Sequence, residues 1–211
     1  MRVTKFGHSC LLVEEGAARL LLDPGSLSKG FEQLEGVTAV LFTHQHADHL
    51  ELDHAKTVLR RNPDALVLAD EGSAAQLADA GIQAQTVRHG DQPDAGVPLQ
   101  VLGTTHAVIH PELPVIPNVG YLVAGRLFHP GDAFTLPEEP VEILALPATA
   151  PWLKIQEAVE YLRGVRPRVA VPVHEAISSM PQLHYGILGR FAEQQGTELR
   201  NLDDGRPADF G

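Results

Sequence analysis

The sequence predicts a layered α/β fold in which two β-sheets pack face to face and helices cover the outside. Short apolar runs bounded by turn residues predict strands along the whole chain, and apolar residues at helical spacing follow some of them. The order is strand-rich, alternating, strand-rich and alternating again, without an internal repeat or a low-complexity linker. Two such halves predict two packed sheets within a single domain over residues 1–211.

The first half begins with three strands that turn residues separate, which predicts an antiparallel meander. Its first helix is expected to end before Asn62-Pro63, because the residue before a proline avoids the helical conformation. Gly81 is expected to end the second helix. The predicted strands lie at residues 3–6, 10–13, 19–22, 39–42, 65–69 and 83–87, and the predicted helices at 53–61 and 73–80.

The second half contains five predicted strands and one helix. A proline-rich segment at residues 110–117 is expected to be a loop, since proline cannot donate a backbone hydrogen bond to a sheet. The helix follows from the apolar spacing of Trp152, Ile155, Val159 and Leu162 and is expected to end before Gly164. The last forty residues are expected to be peripheral. The predicted strands lie at residues 97–105, 119–123, 126–129, 142–146 and 168–173.

Composition and charge exclude several classes of function. The net charge of −11 repels phosphate backbones, and Arg60-Arg61 is the longest basic run, so nucleic acid is not an expected partner. No apolar stretch approaches the roughly 18 residues that span a bilayer, so we expect no membrane partner. The N-terminus lacks the apolar region of a signal peptide, which predicts a cytoplasmic protein. The single cysteine, Cys10, lies in an apolar run, which predicts a packed thiol.

The densest group of chemically active side chains directly follows the predicted buried strand at residues 39–42. It combines three imidazoles and one carboxylate, which are ligands for divalent zinc, manganese or iron. A solvated histidine-rich turn is the alternative interpretation. The position at the exit of a core strand favours a metal site, because α/β proteins place functional loops there. The segment is His44-Gln45-His46-Ala47-Asp48-His49.

Three more candidate ligands occur where later predicted strands end: His106, Asp132 and His174. Taken singly, His106 could be a core histidine with a hydrogen-bond partner, Asp132 a turn residue after Pro130-Gly131, and His174 a strand-end residue. Their common position at strand ends predicts that the fold brings them together. The pattern as a whole therefore favours a metal site more than any single residue does.

In this order the motifs resemble the metallo-β-lactamase superfamily, whose HxHxDH pattern residues 44–49 match. The resemblance covers nearly the whole chain and implies a four-layer αββα sandwich, with two mixed sheets and helices on both outer faces. It also implies which residues would hold two metal ions. The first metal would bind His44, His46 and His106, the second Asp48, His49 and His174, and Asp132 would bridge both.

The resemblance implies a dinuclear metal-dependent hydrolase of a small molecule. A hydroxide that bridges two cations would attack a lactone, ester, amide or phosphoester, and Asp48 would hand a proton to the leaving group. The implied cofactors are two divalent ions, zinc first, with manganese or iron as alternatives. The other interpretations are a redox-type iron site on the same fold and a non-catalytic binding protein that retains its metal. The sequence leaves the substrate and the oligomeric state open.

Three further residues bear on catalysis. His8, in Gly7-His8-Ser9, resembles a stretch in the branch of the superfamily that includes ascorbate-phosphate lactonases, which implies a role beside the metals or the substrate. His110 heads the proline-rich loop and is a second catalytic candidate, with plain loop solvation as the alternative. Trp152 either lines the pocket or packs in the core. It lies beside a segment, residues 147–152, that replaces the Gly-Gly turn of related lactonases and leaves that activity open.

Overall fold

The computed structural model describes residues 1–211, which form two mixed β-sheets, four α-helices and one 3₁₀ turn. The strands are β1 (Arg2–Lys5), β2 (Leu11–Glu15), β3 (Ala18–Leu22), β4 (Ala39–Phe42), β5 (Leu66–Ala69), β6 (Gln85–Thr86), β7 (Leu99–Leu102), β8 (Gly120–Val123), β9 (Leu127–His129), β10 (Ile143–Pro147), β11 (Val169–Val173), β12 (Glu198–Leu199) and β13 (Ala208–Asp209). The helices are α1 (Leu52–Arg61), α2 (Glu71–Asp79), α3 (Ile155–Val165) and α4 (Pro181–Gln194), and the 3₁₀ turn is Glu175–Ile177.

The first sheet has the strand order β13-β1-β2-β3-β4-β5-β6, and the second has the order β12-β11-β10-β9-β8-β7. Strands β1, β2 and β3 pair antiparallel, which confirms the predicted meander, and β3 to β6 continue in parallel. In the second sheet, β7, β8 and β9 pair antiparallel, whereas β9 to β12 are parallel. Each sheet therefore combines an antiparallel part with a parallel part.

Alternation along the strands creates three apolar layers. In β4, Ala39 and Leu41 belong to the core between the two sheets, while Val40 and Phe42 pack beneath α1 and α2. Residues of β10 divide in the same way between the central core and a layer under α3 and α4. Because successive side chains of a strand point to opposite faces, apolar residues at every position give both faces of each sheet an apolar surface to bury. The arrangement confirms the expected four-layer αββα sandwich.

Local signals set the helix boundaries in most cases. Asp70 accepts hydrogen bonds from the amides of Gly72 and Ser73 at the start of α2, and α1 ends before Pro63 as predicted. Gly164, in contrast, does not end its helix: α3 continues to Val165, and Arg166 takes the left-handed conformation. A Cβ at Gly164 would lie 2.9 Å from Leu136, so this glycine leaves room for packing.

None of the four helices combines the length and apolarity needed to cross a membrane.

The expectation that the last forty residues are peripheral is wrong. Strand β12 extends the second sheet beside β11, and β13 pairs with β1 at the edge of the first. Between them, Asp203 accepts a hydrogen bond from the fully buried Lys5, whose ammonium also contacts Glu175. Long-range pairing and this ion pair hold the segment in place, and neither produces a periodic pattern in the sequence.

The parallel strands determine where the functional side chains lie. The segments that follow β4, β9 and β11 carry residues 43–49, Asp132 and His174, and these strands run into one edge of the sandwich. Strand β7 is shorter than predicted and stops at Leu102, but an isolated bridge between Thr105 and Pro117 carries the chain on to His106. The predicted ligands therefore meet at the carboxyl ends of the parallel strands β4, β9 and β11, where α/β folds bind ligands, and His106 reaches the same place from β7.

Candidate metal centre

The loop at residues 43–49 is fixed from below by Asp23, a buried carboxylate at the end of β3. Its Oδ1 accepts the amide of Thr43 at 2.8 Å, and its Oδ2 accepts the Thr43 hydroxyl at 2.8 Å. Oδ2 also lies 2.7 Å from Nδ1 of His49. A carboxylate that accepts from one ring nitrogen directs the other towards a metal. The local sequence does not indicate this role, because Asp23-Pro24-Gly25 is typical of a turn.

Gly25 supports the same loop by its lack of a side chain. A Cβ at this position would lie 1.9 Å from the carbonyl oxygen of Asp48, closer than any side-chain atom can come. The backbone of this turn also donates from Ser26 to the carbonyl of Ala47 at 2.8 Å. The turn after β3 and the metal-binding loop after β4 are therefore in direct backbone contact.

The first group of candidate ligands comprises His44, His46 and His106, whose ligand atoms lie within 4.8 Å of one another. Nε2 of His44 is 3.1 Å from Nδ1 of His46. Nδ1 of His106 contacts the carbonyl of Ala107 at 2.5 Å, which leaves Nε2 directed into the group. The three residues that the family resemblance assigns to the first metal thus lie together in the structure.

The second group comprises His8, His49 and His174, also within 4.8 Å of one another. His8 was placed beside the metals by its sequence context, and here it lies within the group. Asp48, which the resemblance assigns to the second metal, lies 3.8 Å from Nε2 of His49 and 3.0 Å from Nε2 of His8. A carboxylate accepts but does not donate, so Nε2 of His8 carries the shared proton.

Asp132 lies between the two groups. Its Oδ1 is 3.0 Å from Nε2 of His49 and 3.0 Å from Nε2 of His174, both in the second group. Its Oδ2 is 3.3 Å from Nε2 of His106 in the first group. The amide of Asn118 lies close by, and its Oδ1 accepts the backbone amide of Asp132 at 3.0 Å. One carboxylate therefore faces both sets of imidazoles, which is the position expected of a bridging ligand.

Several buried atoms at this centre have no hydrogen-bond partner. They are Oδ1 of Asp132, Nδ1 of His8 and Nε2 of His49, His106 and His174. A buried polar group without a partner costs about 1–3 kcal/mol, so five of them in one place require a compensating interaction. Imidazole nitrogens and carboxylate oxygens at these separations suit a divalent cation, which accepts their lone pairs. The residues present therefore fit one or more metal ions.

Charges within the centre shift several pKa values. Burial lowers the pKa of His44 well below its ordinary value, so this imidazole is neutral and its lone pair is available. Burial would also lower the pKa of His49, but Asp132 and Asp23 outweigh it and raise that pKa well above the usual range. Burial would raise the pKa of Asp132, whereas His174 and His49 hold it well below normal. Without a metal, protonated histidine thus balances the buried carboxylates, and metal binding would release protons.

His8 is held by its backbone as well as by Asp48. It adopts a left-handed conformation, with φ of 51°, and its amide donates to Oε1 of Glu175 at 2.7 Å. The amide of His174 donates to the carbonyl of His8 at 3.1 Å, and the two rings stack with centroids 4.7 Å apart. Since Glu175 also pairs with the buried Lys5, an ion pair below the centre supports these two histidines.

Trp152 is more than an apolar core residue. It is buried, and its Nε1 donates to Oδ2 of Asp132 at 2.7 Å. Its ring packs edge-on against Phe134 and His106, with centroids 5.1 and 6.0 Å away. This contact could not be predicted from apolar spacing, which assigns Trp152 to the stripe of a helix that begins only at Ile155 and does not concern its indole nitrogen.

Three other residues lie apart from the centre. His110, a predicted catalytic residue, is exposed in the proline-rich loop, and its Nδ1 accepts the amide of Glu112 at 3.2 Å. The structure does not bring it to the other candidates. His129 is buried below the site and contacts the carbonyl of Ser9 through Nε2 at 2.9 Å. Cys10 is buried as predicted, and burial raises the pKa of its thiol well above normal.

Known proteins resemble this chain in sequence and in fold. A family model described as "Beta-lactamase superfamily domain" matches residues 2–174. A Mycobacterium tuberculosis protein, Rv0786c, is 48% identical over 210 residues, which cover 97% of each chain. A UPF0173 metal-dependent hydrolase of Aeropyrum pernix is 28% identical and covers 82% of this chain and 81% of its own. The solved structure of the metallo hydrolase Igni18 from Ignicoccus hospitalis matches with a TM-score of 0.76 at 21% identity, covering 100% and 99% of the two chains.

Proposed function

Because this chain belongs to the metallo-β-lactamase superfamily, we propose that it is a metal-dependent hydrolase that acts on a small molecule with two divalent cations. The bond cleaved would be that of a lactone, ester, amide or phosphoester. The names of the UPF0173 relatives support metal dependence and hydrolysis, although they specify no substrate. Zinc is the first candidate for the cation, with manganese and iron as alternatives.

One observation carries this proposal: the convergence of buried, unpartnered imidazole nitrogens on both sides of Asp132. His44, His46 and His106 would hold one cation, and His49 and His174 the other. When bound, the cations would supply Lewis acidity and lower the pKa of a coordinated water to roughly 7. Asp132 would present an oxygen towards each group and keep the two sets of imidazoles at a fixed separation.

We assign proton transfer to Asp48 and His8. The side chain of Asp48 is 31% exposed, whereas Asp132 and the buried imidazoles of the centre are nearly inaccessible. Burial would raise the pKa of Asp48, but the hydrogen bond from His8 and the charge of His49 lower it, so its Oδ2 is ionised at neutral pH. Oδ2 would receive the proton released when water attacks and pass it to the leaving group, while Nε2 of His8 keeps the carboxylate in place.

Exposed apolar side chains favour a substrate with an apolar part. Eight of the nine exposed large apolar residues follow His106, Asp132 or His174 within ten positions of the chain. The loop after His106 is anchored at its base, since the amide of His106 donates to the carbonyl of Ile116 at 3.0 Å. No lysine or arginine pairs with Asp48 or Asp132. The absence of a cationic side chain beside these carboxylates favours an uncharged lactone, ester or amide over an anionic phosphoester. The eight residues are Val108, Ile109, Leu113, Val115, Leu136, Ile177, Met180 and Leu183.

A substrate panel tests the proposal. Protein loaded with zinc or manganese would be assayed on lactones, carboxylic esters of increasing acyl length, amides and phosphodiesters. We expect metal-dependent turnover that rises with acyl length and is lost in the His44→Ala variant. His184→Ala is the matched control, because this half-buried histidine of α4 lies apart from the centre and makes one side-chain hydrogen bond, to the carbonyl of Met180. Metal-loaded protein without turnover on any member of the panel would contradict the proposed hydrolysis.

A further inference from the structure

The loop that follows β10 makes two side-chain contacts with the metal centre. The hydroxyl of Thr149 donates to the carbonyl of His174, and Nε1 of Trp152 donates to Oδ2 of Asp132. The amide of Ala148 also donates to the carbonyl of Val173 at 3.0 Å. The loop between β10 and α3, residues 148–154, is thus attached to two separate candidate ligands. Its sequence is the one that departs from the lactonase pattern.

The hydrogen bond to Trp152 makes the two oxygens of Asp132 unequal. Oδ2 accepts the indole N–H at 2.7 Å, whereas Oδ1 has no hydrogen-bond partner and lies 3.0 Å from His49 and His174. An indole donates one hydrogen bond and accepts none, so it cannot compete for a cation. The indole N–H therefore binds Oδ2 at any pH, and Oδ1 remains directed towards the second group of histidines.

The environment of Trp152 prevents this donor from moving away. The residue is 9% exposed, and its ring meets Phe134 and His106 edge-on. Phe134 in turn packs against Tyr161 of α3, with ring centroids 5.0 Å apart. The aromatic residues therefore connect the outer helix layer with the carboxylate at the centre.

We propose that Trp152 is a positioning residue that orients Asp132 for metal binding through its indole N–H, and that its fluorescence reports metal occupancy. The proposal rests on the metal site and not on the reaction. Partners in the outer shell of a metal site typically change metal affinity by about 10–100-fold. Trp152 is the only tryptophan among the 211 residues, so its emission comes from one place, within hydrogen-bond distance of a candidate ligand.

The test compares two variants for zinc affinity by competition with a chromophoric chelator. Trp152→Phe keeps an aromatic ring but removes the N–H donor, and we expect it to bind zinc about 10–100-fold more weakly. Tyr161→Phe keeps every ring of the aromatic group and removes only a hydrogen bond to the carbonyl of Thr135, so the donor to Asp132 stays, and we expect wild-type affinity. Wild-type affinity in Trp152→Phe would overturn the proposal. An equal loss in both variants would also overturn it, because packing would then explain the effect.

A second measurement uses unmodified protein, so the proposal stays testable if Trp152→Phe fails to fold. Zinc titration should change the tryptophan emission with a saturation curve that matches the affinity from chelator competition, and Asp132→Asn should weaken that response. Emission that stays constant while zinc binds would refute the assigned role of Trp152. A protein that binds zinc with the expected spectral change but hydrolyses nothing would contradict only the proposed function.

Discussion

Replacing Lys5 with methionine is expected to destabilise the protein by about 2–4 kcal/mol, because it breaks a buried ion pair. The Lys5 ammonium is fully buried and donates to Glu175, Asp203 and the carbonyl of Pro172, at 2.5, 2.6 and 2.9 Å. Loss of one partner from a buried pair costs about 3–5 kcal/mol. The carboxylates of Glu175 and Asp203 are 14% and 26% exposed and can partly rehydrate, which lowers the expected value.

Urea denaturation followed by circular dichroism would measure this change in the free energy of unfolding, and a thermal melt should show a decrease of Tm of roughly 4–16 °C for a chain of this size. Arg2→Met is the matched control, since Arg2 lies on the same strand and pairs with Glu14 while 51% exposed. That pair is worth at most about 1 kcal/mol. The double variant Lys5→Met with Glu175→Gln should recover part of the loss. A change below about 1 kcal/mol in Lys5→Met would refute the reasoning.

Three more substitutions have expected outcomes. Asp23→Ala should weaken metal binding about 10–100-fold, measured by chelator competition, because His49 loses the carboxylate that orients it. Gly25→Ala should destabilise the fold by more than about 3 kcal/mol in urea, since its Cβ would overlap the carbonyl of Asp48; wild-type stability would contradict the contact. Two arginines lower the pKa of Glu142 to about 2, so its contribution is complete above its unfolded pKa of about 4.3 and is lost as the pH falls towards 2. Glu142→Gln should therefore cost up to about 1 kcal/mol at pH 7, and the difference from wild type should shrink below pH 4 in urea titrations; a constant difference would be inconsistent with this origin.

The positions of the candidate ligands could be predicted because each one follows a strand whose apolar pattern is local. Residues 40–42 identify β4, and the histidines after it lie where such a strand must end. His106 lies beside the other candidate ligands although β7 stops early, since the bridge at Thr105 extends the same path. Periodicity determines the strands, and parallel pairing then brings their ends together.

The residues that support the ligands could not be predicted in the same way. Asp23, Trp152 and Glu175 act through hydrogen bonds to residues 20 or more positions away in the chain. One such bond leaves no periodic pattern, and each of these residues has an ordinary local explanation as a turn, an apolar stripe or a surface position. The two-residue strand β13 could not be predicted either, because its pairing with β1 requires only backbone atoms.

The buried ion pair of Lys5 also constrains how the nascent chain matures. Lys5 and Asp203 are separated by 198 positions, and Glu175 precedes Asp203 by only 28. At about 5–20 residues per second, a ribosome needs roughly 10–40 s to proceed from the first partner to the last. During that interval the first sheet carries an ammonium group without its counter-charges, in a position that the finished protein seals from water. The amino-terminal strands are therefore expected to reach their final packing only after the segment that contains Asp203 has been synthesised.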